Sequence, residues 1–324
     1  MGKLNGSSEN TRRDFLQAAG AGTVTVMAAG NLPLQANDKQ SLPTRALGNT
    51  GVKVPIIGVG TAPAGHQPRK EAAEFYAACL DAGVKYMDTA PEFAGYGVAQ
   101  AALGDILKTR RDEAFVVTKC WEPDGEKALK LLRSNLRELQ TDHADLVYAH
   151  SIGSDKMEPK TVLGRGGVMQ ALSKAQKDGL TRFIGVSGHN RPERFLNVLK
   201  DFEIKVMMNA VNFVSRHIYN FEEKVWPEAH RRGVALVAMK VYGGGIKPRG
   251  GKIKSKDVFD AFRYAQSLPN ISTVVVGLYD KKELEENIRF ARTYTPLAEK
   301  EMAELVARGK RLAESWGTPY GPVS

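Results

Sequence analysis

The chain has 324 residues, 42% of them hydrophobic and 25% charged, and a formal net charge of +10. That apolar fraction supports one large core and excludes a disordered chain, while acidic residues interleaved with the basic ones, as over 283–292, make the positive balance a solvated surface rather than a nucleic-acid footprint. The two cysteines, Cys79 and Cys120, have no metal-ligand spacing and are read as unpaired.

The first element is Thr11-Arg12-Arg13-Asp14-Phe15-Leu16, followed by a mildly apolar, Ala- and Gly-rich stretch over 17–29. It resembles a twin-arginine export signal, with small-residue cleavage after Ala36. The stretch is too short and too mild to span a bilayer, and no cysteine lies near the cleavage point, so no stable membrane anchor is expected. The expected organisation is a signal over 1–36 and a folded domain over 37–324. The mature chain is then periplasmic or otherwise exported, with the twin-arginine translocation machinery as a partner; a non-functional signal would leave it in the cytoplasm.

Beyond the signal, apolar runs occur at 56–60, 84–88, 115–119, 144–150, 183–187, 206–209, 234–239 and 273–277. Segments of helical period lie between them at 70–82, 126–139, 168–178, 192–199, 258–267 and 281–292. Near-continuous apolar runs, without polar alternation, indicate parallel strands buried on both faces, hence an α/β fold of the closed (β/α)8 TIM barrel type. The rival is a doubly wound open sheet. Against it, Gly58-Val59-Gly60 runs on into Thr61-Ala62-Pro63, which lacks the third glycine of a dinucleotide-binding turn.

Asp88, Lys119, His150 and Ser187 each end one of these runs, which in a parallel barrel places them on the rim where active sites form. The group suits carbonyl reduction. An ammonium such as Lys119 favours the ionised form of a neighbouring tyrosine acid, Asp88 pairs with the lysine, and His150 orients the carbonyl. A Schiff-base lyase using Lys119 is a competing class, but such an enzyme has no need of Asp88 or of the Gly-Val-Ser stretch before Gly188.

From Arg45 to Asn287 the chain resembles the aldo-keto reductase family. Arg45-Ala46-Leu47-Gly48-Asn49-Thr50-Gly51-Val52-Lys53-Val54-Pro55 is similar to its N-terminal hairpin cap, Asp88-Thr89-Ala90 to its Asp-Thr-Ala, and Asp145 to His150 to its Asp-Leu-x-x-x-His. Gly179 to Ser187 resembles Gly-Lys-Ile-Arg-x-Ile-Gly-Val-Ser. The resemblance implies NAD(P)H-linked interconversion of an aldehyde, ketone or sugar carbonyl and an alcohol, in a barrel with a hairpin cap and a C-terminal helical extension. It places the catalytic tyrosine five residues after the aspartate, where this chain has Phe93. Tyr96-Gly97-Val98-Ala99-Gln100-Ala101-Ala102-Leu103-Gly104 matches the family's Tyr-Gly-x-Ser-Glu-x-x-Leu-Gly once three inserted residues are allowed, so Tyr96 is the expected acid. Were Phe93 to fill that place, the chain would be a catalytically impaired nicotinamide-binding barrel, a sensor or assembly subunit.

The cofactor residues also follow from the resemblance. Ser187 and Asn209 correspond to residues that hold the nicotinamide amide, and Met239 stands where an aromatic residue usually stacks on the ring. Lys240-Val241-Tyr242-Gly243-Gly244-Gly245 replaces Ser-Pro-Leu-x-Gly-Gly, so Lys240 too is an expected cofactor contact, with Gly243 and Gly244 suited to close approach of a pyrophosphate. After Gly277, Glu286 and Asn287 match a Glu-Asn pair that contacts adenine. Glu283 occupies the usual place of a phosphate-binding arginine, with Lys281 and Lys282 beside it to compensate, and the family slightly favours NADP(H) over NAD(H).

Overall fold

The computed structural model describes residues 41–244 and 252–324; the export signal expected over 1–36, and Gly245, lie outside the described residues. The first element is a hairpin of β1 (Thr44–Ala46) and β2 (Lys53–Pro55), antiparallel with Thr44 opposite Pro55. Eight strands follow: β3 (Ile57–Gly60), β4 (Tyr86–Asp88), β5 (Phe115–Cys120), β6 (Ala144–Ala149), β7 (Thr181–Gly188), β8 (Val206–Ala210), β9 (Ala235–Met239) and β10 (Ile271–Gly277). Each pairs in parallel with its predecessor, and β10 closes on β3 with Val276 opposite Val59. The closed barrel removes the open-sheet alternative.

The two faces of the strands are buried in different places. Tyr86, Val117, Leu146, Tyr148, Met208, Val237 and Val275 form the barrel interior, joined by Leu47 and Val54 of the hairpin. Their neighbours Met87, Val116, Val147, Met207, Leu236 and Val274 belong to the larger cluster under the helices. This period of two, with both faces apolar, is what makes the runs nearly continuous in sequence. The Asn49 N–H donates to the Gly233 carbonyl just ahead of β9 at 3.2 Å, so the hairpin seals the N-terminal end of the barrel.

The outer layer comprises α1 (Arg69–Asp81), α2 (Ala99–Arg110), α3 (Gly125–Glu138), α4 (Pro159–Leu163), α5 (Val168–Lys177), α6 (Pro192–Asp201), α7 (Phe221–Lys224), α8 (Trp226–Arg231), α9 (Val258–Ser267) and α10 (Lys281–Thr293). The C-terminal extension is α11 (Glu299–Trp316). Helical period locates α1, α3, α5, α6, α9 and α10 to within two or three residues; α2 does not stand out in this way. Its buried residues, among them Ala99, Gln100, Leu103, Gly104 and Leu107, spread around much of the helix rather than along one stripe.

Gly104 is where α2 meets the end of α3. A Cβ there would lie 2.2 Å from the Glu138 carbonyl oxygen, a backbone atom that cannot swing aside. Gly104→Ala is expected to lower unfolding free energy by about 1–3 kcal/mol despite alanine's better helix propensity, measured by urea denaturation.

Candidate active site

Counting in twos along the strands places the polar rim. Asp88 follows Tyr86, Lys119 follows Val117 and His150 follows Tyr148, each by one period on the inward face at the C-terminal end of its strand. All three are buried. Lys119 Nζ donates to Asp88 Oδ1 at 2.5 Å, to the Thr89 carbonyl at 2.8 Å and to the Tyr96 hydroxyl at 3.1 Å. The ammonium also lies 4.7 Å from the centroid of the Tyr96 ring.

Tyr96 reaches this position through a close backbone crossing. Gly65 and Gly97 touch so closely that a Cβ on Gly65 would sit 2.2 Å from the Tyr96 carbonyl oxygen, and one on Gly97 would sit 2.3 Å from that of Gly65. Gly97 is also left-handed, at φ +53°, which glycine adopts without strain. Phe93 is instead 55% exposed, beside the Lys156 ammonium. It does not occupy the tyrosine's place, which removes the ground for the impaired-barrel alternative.

Burial pushes the Tyr96 phenol above its ordinary value; Lys119 pulls it down and Asp88 pushes it up, with a net rise. The lysine thus offsets desolvation without depressing the phenol overall, and Tyr96 is protonated at neutral pH. Burial alone would lower Lys119, but Asp88 and Tyr96 outweigh it and hold the ammonium charged. His150 is held well below its ordinary value by burial, then by the nearby Lys119, His189 and Lys240. Its Nδ1 is 2.8 Å from Ser187 Oγ, leaving Nε2 with no hydrogen-bond partner among the described residues.

Behind the rim lies a network absent from the sequence reading. Gln100, which stands where the family motif has glutamate, accepts from Thr118 Oγ1 at 2.5 Å and donates to Glu138 at 2.9 Å. Asn135 Nδ2 donates to the Lys119 carbonyl at 3.0 Å, fixing the backbone that carries the lysine. Gln100 and Asn135 lie 35 residues apart on different helices, so nothing local in the sequence announces it.

A cavity of about 630 Å³ opens from this group. Asp88, Tyr96, Trp121, His150 and His189 line one end, Met239, Lys240 and Gly244 the middle, and Gly277, Lys282, Glu283, Glu286 and Asn287 the other. Four expected cofactor residues do not line it. Ser187 is fully buried behind His150. Asn209 falls on the outward face of β8, beside the inward Met208, and its Oδ1 accepts from Trp226 Nε1 at 2.9 Å in the helical layer. Gly243 faces Trp316, and Lys281 is exposed on the outer side of the α10 start. Glu283 is engaged, accepting the Tyr279 N–H at 2.8 Å.

His189 was not among the expected site residues. It makes an edge contact with His150, their centroids 6.3 Å apart, and packs against Tyr320, at 5.6 Å, in the segment after α11. That segment is pinned over the barrel mouth: Asn190 Nδ2 donates to the Pro322 carbonyl at 3.1 Å and Tyr219 Oη to that of Gly321 at 3.0 Å.

Comparison with known proteins points to one family. A model of the Aldo/keto reductase family matches residues 56–261. Pyridoxal 4-dehydrogenase of Microbacterium luteolum is 30% identical over 282 residues, covering 73% of this chain and 80% of its own. L-Galactose dehydrogenase of Arabidopsis thaliana is 26% identical over 288 residues, covering 75% and 86%. Among solved structures, aldo-keto reductase AKR11C1 from Bacillus halodurans superposes with a TM-score of 0.66 at 20% identity, over 83% of this chain and 96% of its own, a likeness of fold. The chain belongs to the aldo/keto reductase family. It is an enzyme of that class, an NAD(P)-dependent oxidoreductase.

The depressed histidines make stability depend on pH. Burial, then Lys240 and Lys119, lowers His189 to about 3, whereas an unfolded histidine titrates near 6.5. Below pH ~6.5 the unfolded chain takes up protons that the native chain refuses, so this contribution is full above ~6.5 and is lost as pH falls, by up to ~1.4 kcal/mol per pH unit per histidine. Urea unfolding at pH 5 and pH 7 should show the difference, and His189→Asn should reduce it by about one histidine's share.

Proposed function

We propose that this protein interconverts a carbonyl, in an aldehyde, ketone or sugar, and an alcohol, with Tyr96 as proton donor. The observation that carries the reading is the Lys119 ammonium, buried and shared between Asp88 at 2.5 Å and the Tyr96 hydroxyl at 3.1 Å, both of which line the cavity. In the reducing direction Tyr96 gives its proton to the substrate oxygen, and Lys119 stabilises the phenolate left behind. Asp88 keeps the lysine charged and in place. Neutral His150, its Nδ1 fixed by Ser187, hydrogen-bonds the carbonyl oxygen through Nε2 and orients it.

The cavity suits a nicotinamide dinucleotide. It runs from the polar rim past a thioether to a glycine without a side chain and on to a helix start carrying a cation, a carboxylate and an amide. Met239 would support the nicotinamide ring, Gly244 and Gly277 admit the phosphates, and Lys282, Glu286 and Asn287 hold the adenosine end. The bound cofactor supplies the hydride. Lys282, with Glu283 occupied by the Tyr279 N–H, supports NADP(H) slightly over NAD(H).

We also propose that residues 1–36 direct export by the twin-arginine route, on the strength of Arg12-Arg13, Phe15-Leu16 and the apolar run behind them. Changing Arg12→Lys and Arg13→Lys together should move the mature chain from the periplasmic to the cytoplasmic fraction; a chain that fractionates identically either way defeats this part of the reading.

Purified protein should oxidise NADPH or NADH in the presence of a small aldehyde. Tyr96→Phe and Lys119→Met are each expected to lower kcat by ~10²–10⁴-fold, with nucleotide binding, followed by fluorescence quenching, changed far less. Near-normal kcat in either variant contradicts the assignment.

A further inference from the structure

Lys240 follows directly on β9 and is held in the left-handed region at φ +58°, a conformation uncommon for a residue other than glycine. Its carbonyl is fixed there by Asn212 Nδ2 at 3.1 Å and by the Gly243 N–H at 2.8 Å. The partly buried side chain lines the cavity together with Asp88, His150 and His189. Among the described residues no carboxylate lies within ion-pair distance of its ammonium, and no side chain or carbonyl accepts a hydrogen bond from it.

The charge around Lys240 does not balance. Asp88 is matched by Lys119 at 2.5 Å, and both histidines and Tyr96 are neutral, so Lys240 is left as one uncompensated cation. Of the carboxylates lining the far end, Glu283 accepts the Tyr279 N–H, and Glu286 faces Arg289 at 4.0 Å. Burial, then Lys119, pushes the Lys240 ammonium below its ordinary value, while Asp88 partly restores it. An arriving anion would relieve that cost.

We propose that Lys240 selects carbonyl substrates bearing a carboxylate, pairing with that group while the carbonyl lies between Tyr96 and His150. The inference rests on the carbonyl-reductase reading above. The reaction balances as carbonyl plus NAD(P)H plus a proton giving alcohol plus NAD(P)+, and the carboxylate is unchanged. The rival source of an anion is the cofactor's own phosphates.

Two probes of matched shape separate these possibilities: 4-carboxybenzaldehyde and its methyl ester, reduced by the full mature protein. A charge-assisted hydrogen bond predicts that kcat/KM favours the acid by ~10-fold or more. The preference should vanish in Lys240→Gln and return in Lys240→Arg, and NADPH affinity should shift by far less. Equal kcat/KM for the two probes, or a preference that survives Lys240→Gln, overturns the inference and leaves the reductase reading standing. So does a loss in Lys240→Gln that is equal for both probes and matched by weaker NADPH binding, which assigns the lysine to the cofactor. Calorimetric binding of 4-(hydroxymethyl)benzoate and its methyl ester reads the same selectivity without turnover, so failure of the reductase reading is distinguishable from failure of this one.

Discussion

The buried ion pair of Lys119 and Asp88 is the constraint on which the site depends. Two charges taken out of water at the barrel mouth are costly, and their attraction offsets that cost only when the geometry is good and the remaining donors are satisfied. Here the ammonium spends its hydrogen bonds on Asp88, the Thr89 carbonyl and Tyr96. Loss of either charged partner would strand the other, at about 3–5 kcal/mol. The pair therefore fixes where a proton donor can stand, and its charge helps to keep His150 and His189 neutral.

The barrel makes such a pair possible. Parallel strands staggered by two residues at each step, with Asp88 opposite Val117 and Lys119 opposite Tyr148, bring Asp88, Lys119 and His150, distant in sequence, to one rim, while Tyr86, Val117 and Tyr148 beneath them are fully buried. The Gln100 and Asn135 amides reinforce the arrangement from the helical side. Position is thus set from both faces of β5, by the ion pair within the barrel and by amide hydrogen bonds behind it.

The strand-end residues were legible in the sequence because position in a parallel barrel follows from the ends of apolar runs alone. Which way a side chain faces is a finer matter. Asn209 ends its run as Lys119 does, yet the inward set on β8 is Val206 and Met208, so one step in parity turns it outward to Trp226. Helix α2 escaped because a helix buried around much of its circumference has no polar stripe to betray its period. His189 and the segment that reaches it from beyond α11 are long-range contacts, with nothing local to announce them.

Charge is distributed unevenly along the cavity, cationic at Lys240, where Asp88 is already matched by Lys119, and mixed around Lys282, Glu283 and Glu286. That asymmetry suits a reaction in which negative charge develops on a carbonyl oxygen at one end while a nucleotide is held at the other. If Lys119 acts through Tyr96, the two are one functional unit and their effects must not add. The most direct measurement is a double-mutant cycle on kcat with Lys119→Met, Tyr96→Phe and the combined variant. A double variant scarcely slower than the slower single one is expected; losses that multiply would mean that the two residues act independently and would contradict a shared role.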